Sequence, residues 1–266
     1  MNIKGKREMI NPPPGVKWYY SDEKAGIYIL HGDCRDFLPH LPKVDLVLTD
    51  PPYGIGKLMK GGKDTGHWNH LSSGNQWDME APDVTPLLTA EKRVIIWGGN
   101  YFDLPPSRCW FAWVKSNSVP TQADMELAWT NIDEPARCFE APTGGSYVRE
   151  HPTQKPLALI SWCIGFAPEA QTILDPFMGS GTTLRAALDL GRKAIGIEIE
   201  ERYCRIAVER LRQTVLPLQV SNSHDIIKEK QEELFHGAST NGRNKKKDFQ
   251  SKQGAENDAG ATAAAE

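Results

Sequence analysis

Apolar residues along this chain fall into short continuous runs separated by stretches with a three-to-four-residue apolar rhythm. The runs Val44 to Thr49, Arg93 to Trp97, Trp110 to Val114, Thr172 to Asp175 and Lys193 to Glu198 are short and rich in β-branched and aromatic side chains. Such runs predict strands buried on both faces of a parallel sheet. Met125 to Trp129 has the same character. Leu157 to Phe166, Thr182 to Leu190 and Glu201 to Leu216 carry the spacing of helices. Strands alternating with helices predict an α/β fold: a Rossmann-like, doubly wound, mostly parallel sheet of about seven strands with helices on both faces. Ligands of such sheets bind at the carboxyl ends of the strands.

The periodic pattern begins near Ile27 and stops near Leu216. Residues 1–26 are read as a polar, Pro-rich N-terminal extension and 27–216 as one catalytic domain. In residues 217–266 only His224 to Phe235 has an amphipathic helical pattern. Gly237 to Glu266 holds too little apolar surface to offset its ordering entropy, so this tail is expected to be disordered. Its Lys245-Lys246-Lys247 run reads as a solvated charge cluster.

Composition narrows the class. Charged residues at 24% and hydrophobic residues at 39% fit an ordinary soluble globular protein. No apolar run approaches ~18 residues, so no membrane span is expected, and Met1 to Lys24 lacks a signal-peptide core. The five cysteines, Cys34, Cys109, Cys138, Cys163 and Cys204, form no CxxC pair. That argues against a zinc site and a disulfide framework and suits a reducing cytoplasm. His67, His70 and His151 lack the spacing of a metal triad, and no metal is expected. The net charge of −3 leaves any nucleic-acid surface to local charge distribution.

Two segments carry candidate chemistry. Asp175-Pro176-Phe177-Met178-Gly179-Ser180-Gly181-Thr182-Thr183 follows one predicted strand and opens a helix. Its glycines let the backbone approach a ligand, and the new helix offers unpaired N–H groups. Glu198 ends the next strand, where a carboxylate can accept from ribose hydroxyls. A dinucleotide loop would need a further glycine where Leu184 stands, and Asp175 would repel a pyrophosphate while suiting a cationic ligand group. The second segment, Asp50-Pro51-Pro52-Tyr53, follows the strand ending at Thr49. Alone it would be a rigid turn, but it stands where the active sites of such sheets lie.

Together, and in this order, the two segments resemble the amino-methyltransferases of DNA in their beta-group arrangement, with the Pro-Pro motif ahead of the cofactor loop. The resemblance spans residues 27 to 216 and has further support. His151-Pro152-Thr153-Gln154-Lys155-Pro156 is similar to the family's segment at the methionine end of the cofactor. Gly32-Asp33-Cys34 is similar to its adenine turn, and Ile197 to Glu200 with Tyr203 to its second strand and helix. Trp97 to Phe102 is similar to phage and prophage members. The resemblance implies a methyltransferase using S-adenosyl-L-methionine, with double-stranded DNA as partner and the target base flipped out. Asp50 and Pro51 would accept from the amine N–H groups and free the nitrogen lone pair for attack on the methyl group. Pro52 would hold the turn and Tyr53 would stack on the base.

The implied cofactor residues are Asp33, Cys34, Thr153, Lys155, Asp175, Phe177, Gly179, Ser180, Gly181, Thr182 and Glu198. Base reading would fall to the variable segments 115–124 and 132–150. Asn117, Gln122, Arg137 and Arg149 are the polar candidates there, and Lys57 and Trp77, in the long loop from Gly54 to Ala81, are candidates for DNA contact. That loop also holds Lys60, Lys63 and Trp68. Asp50 favours adenine N6 over cytosine N4, because members with serine there lean towards cytosine. An RNA amino-methyltransferase and a catalytically silent DNA-binding protein of the same fold stay as alternatives. So do a companion restriction enzyme and a homodimer.

Overall fold

The computed structural model describes residues 12–55, 78, 80–88, 92–118, 123–143 and 154–213. Among them run nine strands: β1 (Tyr20–Asp22), β2 (Ile27–His31), β3 (Leu46–Thr49), β4 (Arg93–Trp97), β5 (Trp110–Lys115), β6 (Met125–Thr130), β7 (Arg137–Ala141), β8 (Thr172–Asp175) and β9 (Lys193–Glu198). They form one sheet in the order β1-β2-β9-β8-β3-β4-β6-β5-β7. The α-helices among the described residues are α1 (Cys34–Phe37), α2 (Leu157–Gly165), α3 (Thr182–Asp189) and α4 (Glu201–Arg212).

The five central strands, β2, β9, β8, β3 and β4, are parallel. Burial on both faces explains their continuous apolar runs: Leu46, Val47 and Leu48 are all 0% exposed. Alternate side chains feed two cores. Ile29, Leu48, Ile95 and Ile173 pack against α2, α3 and α4, while Leu30, Val47, Ile96 and Leu174 face the other side. That second side is covered by α1, by the turn at Val84 and Leu87, and by Trp18. The cover is thus unequal: the three longer helices lie on one face.

The sheet has nine strands rather than the seven expected, because β1 and β7 carry no apolar run. β1 lies within the N-terminal 26 residues and pairs antiparallel with β2, with the Tyr19 N–H donating to the Ile29 carbonyl at 2.8 Å. β7, a half-buried strand in the segment 132–150, pairs parallel with β5. Beyond β4 the sheet turns antiparallel through β6, which lies between β4 and β5.

One feature of the order positions the site. From β8 the chain crosses through α3 to β9 on one side, whereas from β3 it moves to β4 on the other. The neighbouring carboxyl ends of β8 and β3 are therefore the switch point of the sheet, where the two connections leave a crevice. Asp175 ends β8, and Asp50 follows β3. Both sequence motifs open onto that crevice.

Candidate active site

The Pro-Pro turn leaves β3 with Asp50 as its first residue, and both carboxylate oxygens are engaged. The Tyr53 hydroxyl donates to Oδ1 at 2.6 Å, and the Lys155 ammonium donates to Oδ2 at 2.5 Å and to the Tyr53 oxygen at 3.2 Å. Lys155 also pairs with Glu126 Oε2 at 3.0 Å, and Lys115 pairs with Glu126 Oε1 at 2.8 Å. The turn is tied down on its far side, where the Gly54 N–H donates to the buried Asp78 carboxylate at 2.7 Å.

Burial pushes the Asp50 carboxyl above the usual range, and the Lys155 ammonium pulls it back. Burial disfavours the charge on Lys155, but Asp50, Tyr53 and Glu126 outweigh it and hold this amine well above an ordinary lysine. Burial also opposes the charge on Glu126, yet Lys155 and Lys115 bring its carboxyl below the usual value. Burial and the Asp50 charge keep the Tyr53 phenol well above 10.0.

The Tyr53 ring stacks on Tyr101 at 4.9 Å between centroids and 16° between planes, with Phe102 edge-on at 6.4 Å. Gly98 lies against the same ring. Its φ of +68° suits glycine, and a Cβ there would stand 2.0 Å from Tyr53 Cε1.

A cleft of about 810 Å³ runs along the carboxyl ends of β2, β9, β8 and β3. It is lined by Asp33, Cys34, Asp50, Pro52, Lys155, Asp175, Phe177, Gly179, Ser180, Thr182 and Glu198. Asp175 accepts from the Thr49 hydroxyl at 2.7 Å and from the Phe177 N–H at 3.2 Å. Burial still lifts its carboxyl to about 6. Glu198 accepts from the Gly179 and Glu200 N–H groups at 2.9 and 2.8 Å, and burial lifts it to about 7. Gly181, at φ +79°, caps α3 and packs on Ala207. Asp33 caps α1 and pairs with Arg35 at 2.5 Å. Size and mixed lining fit a nucleoside-sized ligand with a cationic end.

Three of the residues assigned from the sequence engage partners within the chain. Lys155, assigned from the sequence to the cofactor, lines the cleft but puts its ammonium on Asp50 and Glu126. Its place just before α2 brings it across the ends of β3 and β6. Asn117 spends its amide on Thr143, accepting from its N–H at 2.6 Å and its hydroxyl at 2.9 Å. Arg137 pairs with Glu134 at 3.2 Å on β7. Thr153, Lys57, Trp77, Gln122 and Arg149 lie outside the described residues, as do the tail 217–266 and most of the long loop.

Sequence reasoning missed Glu126, Tyr101 and Arg210. Arg210 of α4 donates to Ser180 at 3.1 Å, to Thr182 at 3.0 Å and to Gln154 at 3.0 Å, tying the cofactor loop to the segment that carries Lys155. No local motif marks it.

Residues 95–209 match the family model described as DNA methylase, of the N6/N4 type. The type II methyltransferase M2.DpnII of Streptococcus pneumoniae is 28% identical over 74% of this chain and 92% of its own. M2.LlaDCHI of Lactococcus lactis subsp. cremoris, also a type II methyltransferase, gives the same identity and coverage. The chain is a DNA amino-methyltransferase. The enzyme also aligns with solved structures. These include the M1.HpyAVI–SAM complex (26% identity, 70% of this chain, 100% of that one, TM-score 0.45). Another is the cytosine-N4-specific PvuII DNA methyltransferase (17% identity, 85% and 97%, TM-score 0.49). The assignment rests on the sequence matches. Its cofactor is S-adenosyl-L-methionine, and no helix among the described residues is long and apolar enough to cross a membrane.

Proposed function

We propose that the enzyme methylates N6 of adenine in double-stranded DNA, on a base turned out of the helix, with Asp50 as the residue that activates the amine. The observation that carries this reading is the Asp50 carboxylate, half-buried at the switch point and paired with the Lys155 ammonium at 2.5 Å. When bound, S-adenosylmethionine supplies a methyl group already activated by its sulfonium.

The amine of adenine is a weak nucleophile because its lone pair is delocalised into the ring. Asp50 and the Pro51 carbonyl accept its two N–H bonds, which draws the nitrogen towards tetrahedral geometry and aims its lone pair. Each Asp50 oxygen already holds one protein donor, and each has a further lone pair for this task. This nitrogen would take the methyl carbon from the cofactor, which departs as a neutral thioether. The nitrogen then sheds one proton, which the Asp50 carboxylate accepts. Pro52 keeps the turn rigid, and Tyr53, backed by Tyr101, offers an aromatic surface to the base.

Asp33, Cys34, Asp175, Phe177, Gly179, Ser180, Gly181, Thr182 and Glu198 hold the cofactor in this reading, with Glu198 accepting from the ribose. Thr153 belongs to the same set by resemblance. The Pro-Pro motif at Asp50 precedes the cofactor loop at Asp175, the beta-group order. The short variable segments fit a short or degenerate target, as in a phage-borne enzyme acting in a bacterial cytoplasm, with or without a restriction partner.

The test is methyl transfer from labelled S-adenosylmethionine to unmethylated duplex DNA, followed by nucleoside analysis. N6-methyladenine is the expected product. N4-methylcytosine would keep the mechanism and change the base, and label in RNA or protein alone would refute the proposed substrate.

A further inference from the structure

The Lys155 ammonium touches two carboxylates, and only one belongs to the Pro-Pro motif. Its Nζ lies 2.5 Å from Asp50 Oδ2 and 3.0 Å from Glu126 Oε2, with the Tyr53 oxygen at 3.2 Å. Those contacts account for its three protons. Glu126 divides its own oxygens, Oε2 to Lys155 and Oε1 to Lys115. The result is a chain of alternating charge, Asp50, Lys155, Glu126 and Lys115, drawn from the β3 turn, the segment before α2, β6 and β5. Both lysines are nearly enclosed, with side chains 5% and 10% exposed.

We propose that Glu126 is a positioning residue for methyl transfer: it shares the Lys155 ammonium with Asp50, so that Asp50 keeps a cation beside it without being fully engaged by the lysine. This rests on the reading of Asp50 as acceptor for the amine. A carboxyl accepts both the hydrogen bond and the released proton only in its charged form, which a cation alongside favours in a partly buried site. It must also have lone pairs to offer, which an exclusive lysine partner would restrict. Drawing the ammonium partly onto Glu126 meets the second demand, while Lys155 at 2.5 Å from Asp50 still serves the first. Glu126 is not among the residues lining the cleft, so it acts through Lys155.

The charged and titratable groups facing Asp50 are Tyr53 on its own turn, Lys155 ahead of α2, Glu126 on β6 and Asp175 at the end of β8. Glu126 and Asp175 act as like charges on Asp50, and Lys155 opposes them. Removing the Glu126 charge therefore lowers the pH at which Asp50 ionises. Removing Lys115 raises it, because Glu126 then holds Lys155 more strongly.

The experiment follows kcat from about pH 5 to 9 for the wild type, E126Q, K115M and D50N at saturating DNA and cofactor, with cofactor Kd measured separately. For E126Q the expected result is a plateau kcat about tenfold lower, unchanged cofactor Kd, and an acid limb at least ~0.5 pH unit lower. K115M should move that limb upward. A normal plateau and limb in E126Q overturns the proposal. A lower plateau with an unmoved limb also overturns it, leaving Glu126 a structural role only. Should E126Q fail to fold, an unmoved limb in K115M has the same force. D50N separates the two readings. Normal turnover by D50N sinks the role of Asp50 itself, whereas an inactive D50N beside a wild-type-like E126Q sinks only the role of Glu126.

Discussion

Asp50 is required to be half-buried and charged at once, and its neighbours show how the fold permits this. Tyr53 and Lys155 each occupy one oxygen, and Lys155 supplies the compensating charge. Asp50→Ala removes the acceptor but no residue of the cofactor loop. The expected outcome is cofactor affinity within about twofold of wild type and methyl transfer at least ~100-fold slower in single-turnover assays, the usual size for one positioned catalytic group. Glu198 gives a prediction in pH. Burial lifts its carboxyl from 4.5 to about 7, so the fold favours the protonated form. Its stabilising contribution is complete below the unfolded value and is lost as pH rises through about 7. Asp175, lifted to about 6, acts in the same direction. The ligand-free Tm should therefore fall between pH 5 and 8, and Glu198→Gln should flatten that fall; a steeper fall in the variant would contradict the assignment. These carboxylates were legible in the sequence because strand-end acids beside Gly or Pro turns form local patterns. Glu126 was not: it is one polar residue in an otherwise unremarkable strand, and its meaning depends on what β6 lies beside.

At the scale of elements, the turn after β4 matters as much as the turn after β3. Gly98 begins it in the left-handed region and lies against Tyr53, while Tyr101, three residues on, stacks on the same ring. Gly98→Ala would put a methyl group 2.0 Å from Tyr53 Cε1 and add roughly 1 kcal/mol of backbone strain. Tyr53 must then shift, and its hydroxyl leaves Asp50. The expected result is a folded protein with near-normal cofactor Kd and a kcat lowered about tenfold or more. An unchanged kcat would show that the Tyr53 position is not critical. The sequence showed Trp97 to Phe102 as a motif through resemblance, but not its partner. Tyr53 and Tyr101 are far apart along the chain, and parallel pairing of β3 with β4 makes their following turns neighbours. β1 and β7 escaped sequence reading for a related reason, since a half-buried edge strand needs a partner's backbone more than an apolar run of its own.

For the whole molecule, the cleft joins parts of the chain that fold together only when the sheet is complete. Its walls come from the ends of β2, β3, β8 and β9 and from the segment before α2. Arg210 of α4 ties two of these walls together through Ser180, Thr182 and Gln154. Cofactor binding should therefore stabilise the enzyme globally. At a cofactor concentration of about 100 times Kd the gain is about 2.7 kcal/mol, which raises Tm by roughly 5–10 °C for a domain of this size. Differential scanning calorimetry with and without S-adenosylmethionine measures it, and no shift at saturation would mean that the cleft does not hold the cofactor.

The sequence alone determined the class of fold, four of the five central parallel strands and the two turns that carry Asp50 and Asp175, because each is written in a run of adjacent residues. β5, read from its run as a buried parallel strand, instead pairs antiparallel with β6 and parallel only with β7, and is only partly buried. Burial on both faces demands continuous apolar strands, and tight turns demand Gly or Pro. Tertiary structure decided which charges meet. Lys155 belongs to a segment that points to the cofactor by family resemblance, and Glu126 to a strand-like run with no motif. Sheet order brings β6 beside β4, α2 brings Lys155 over the end of β3, and only there do Asp50, Lys155 and Glu126 share one buried charge balance. Electrostatic energy depends on distance in space, which local sequence does not encode.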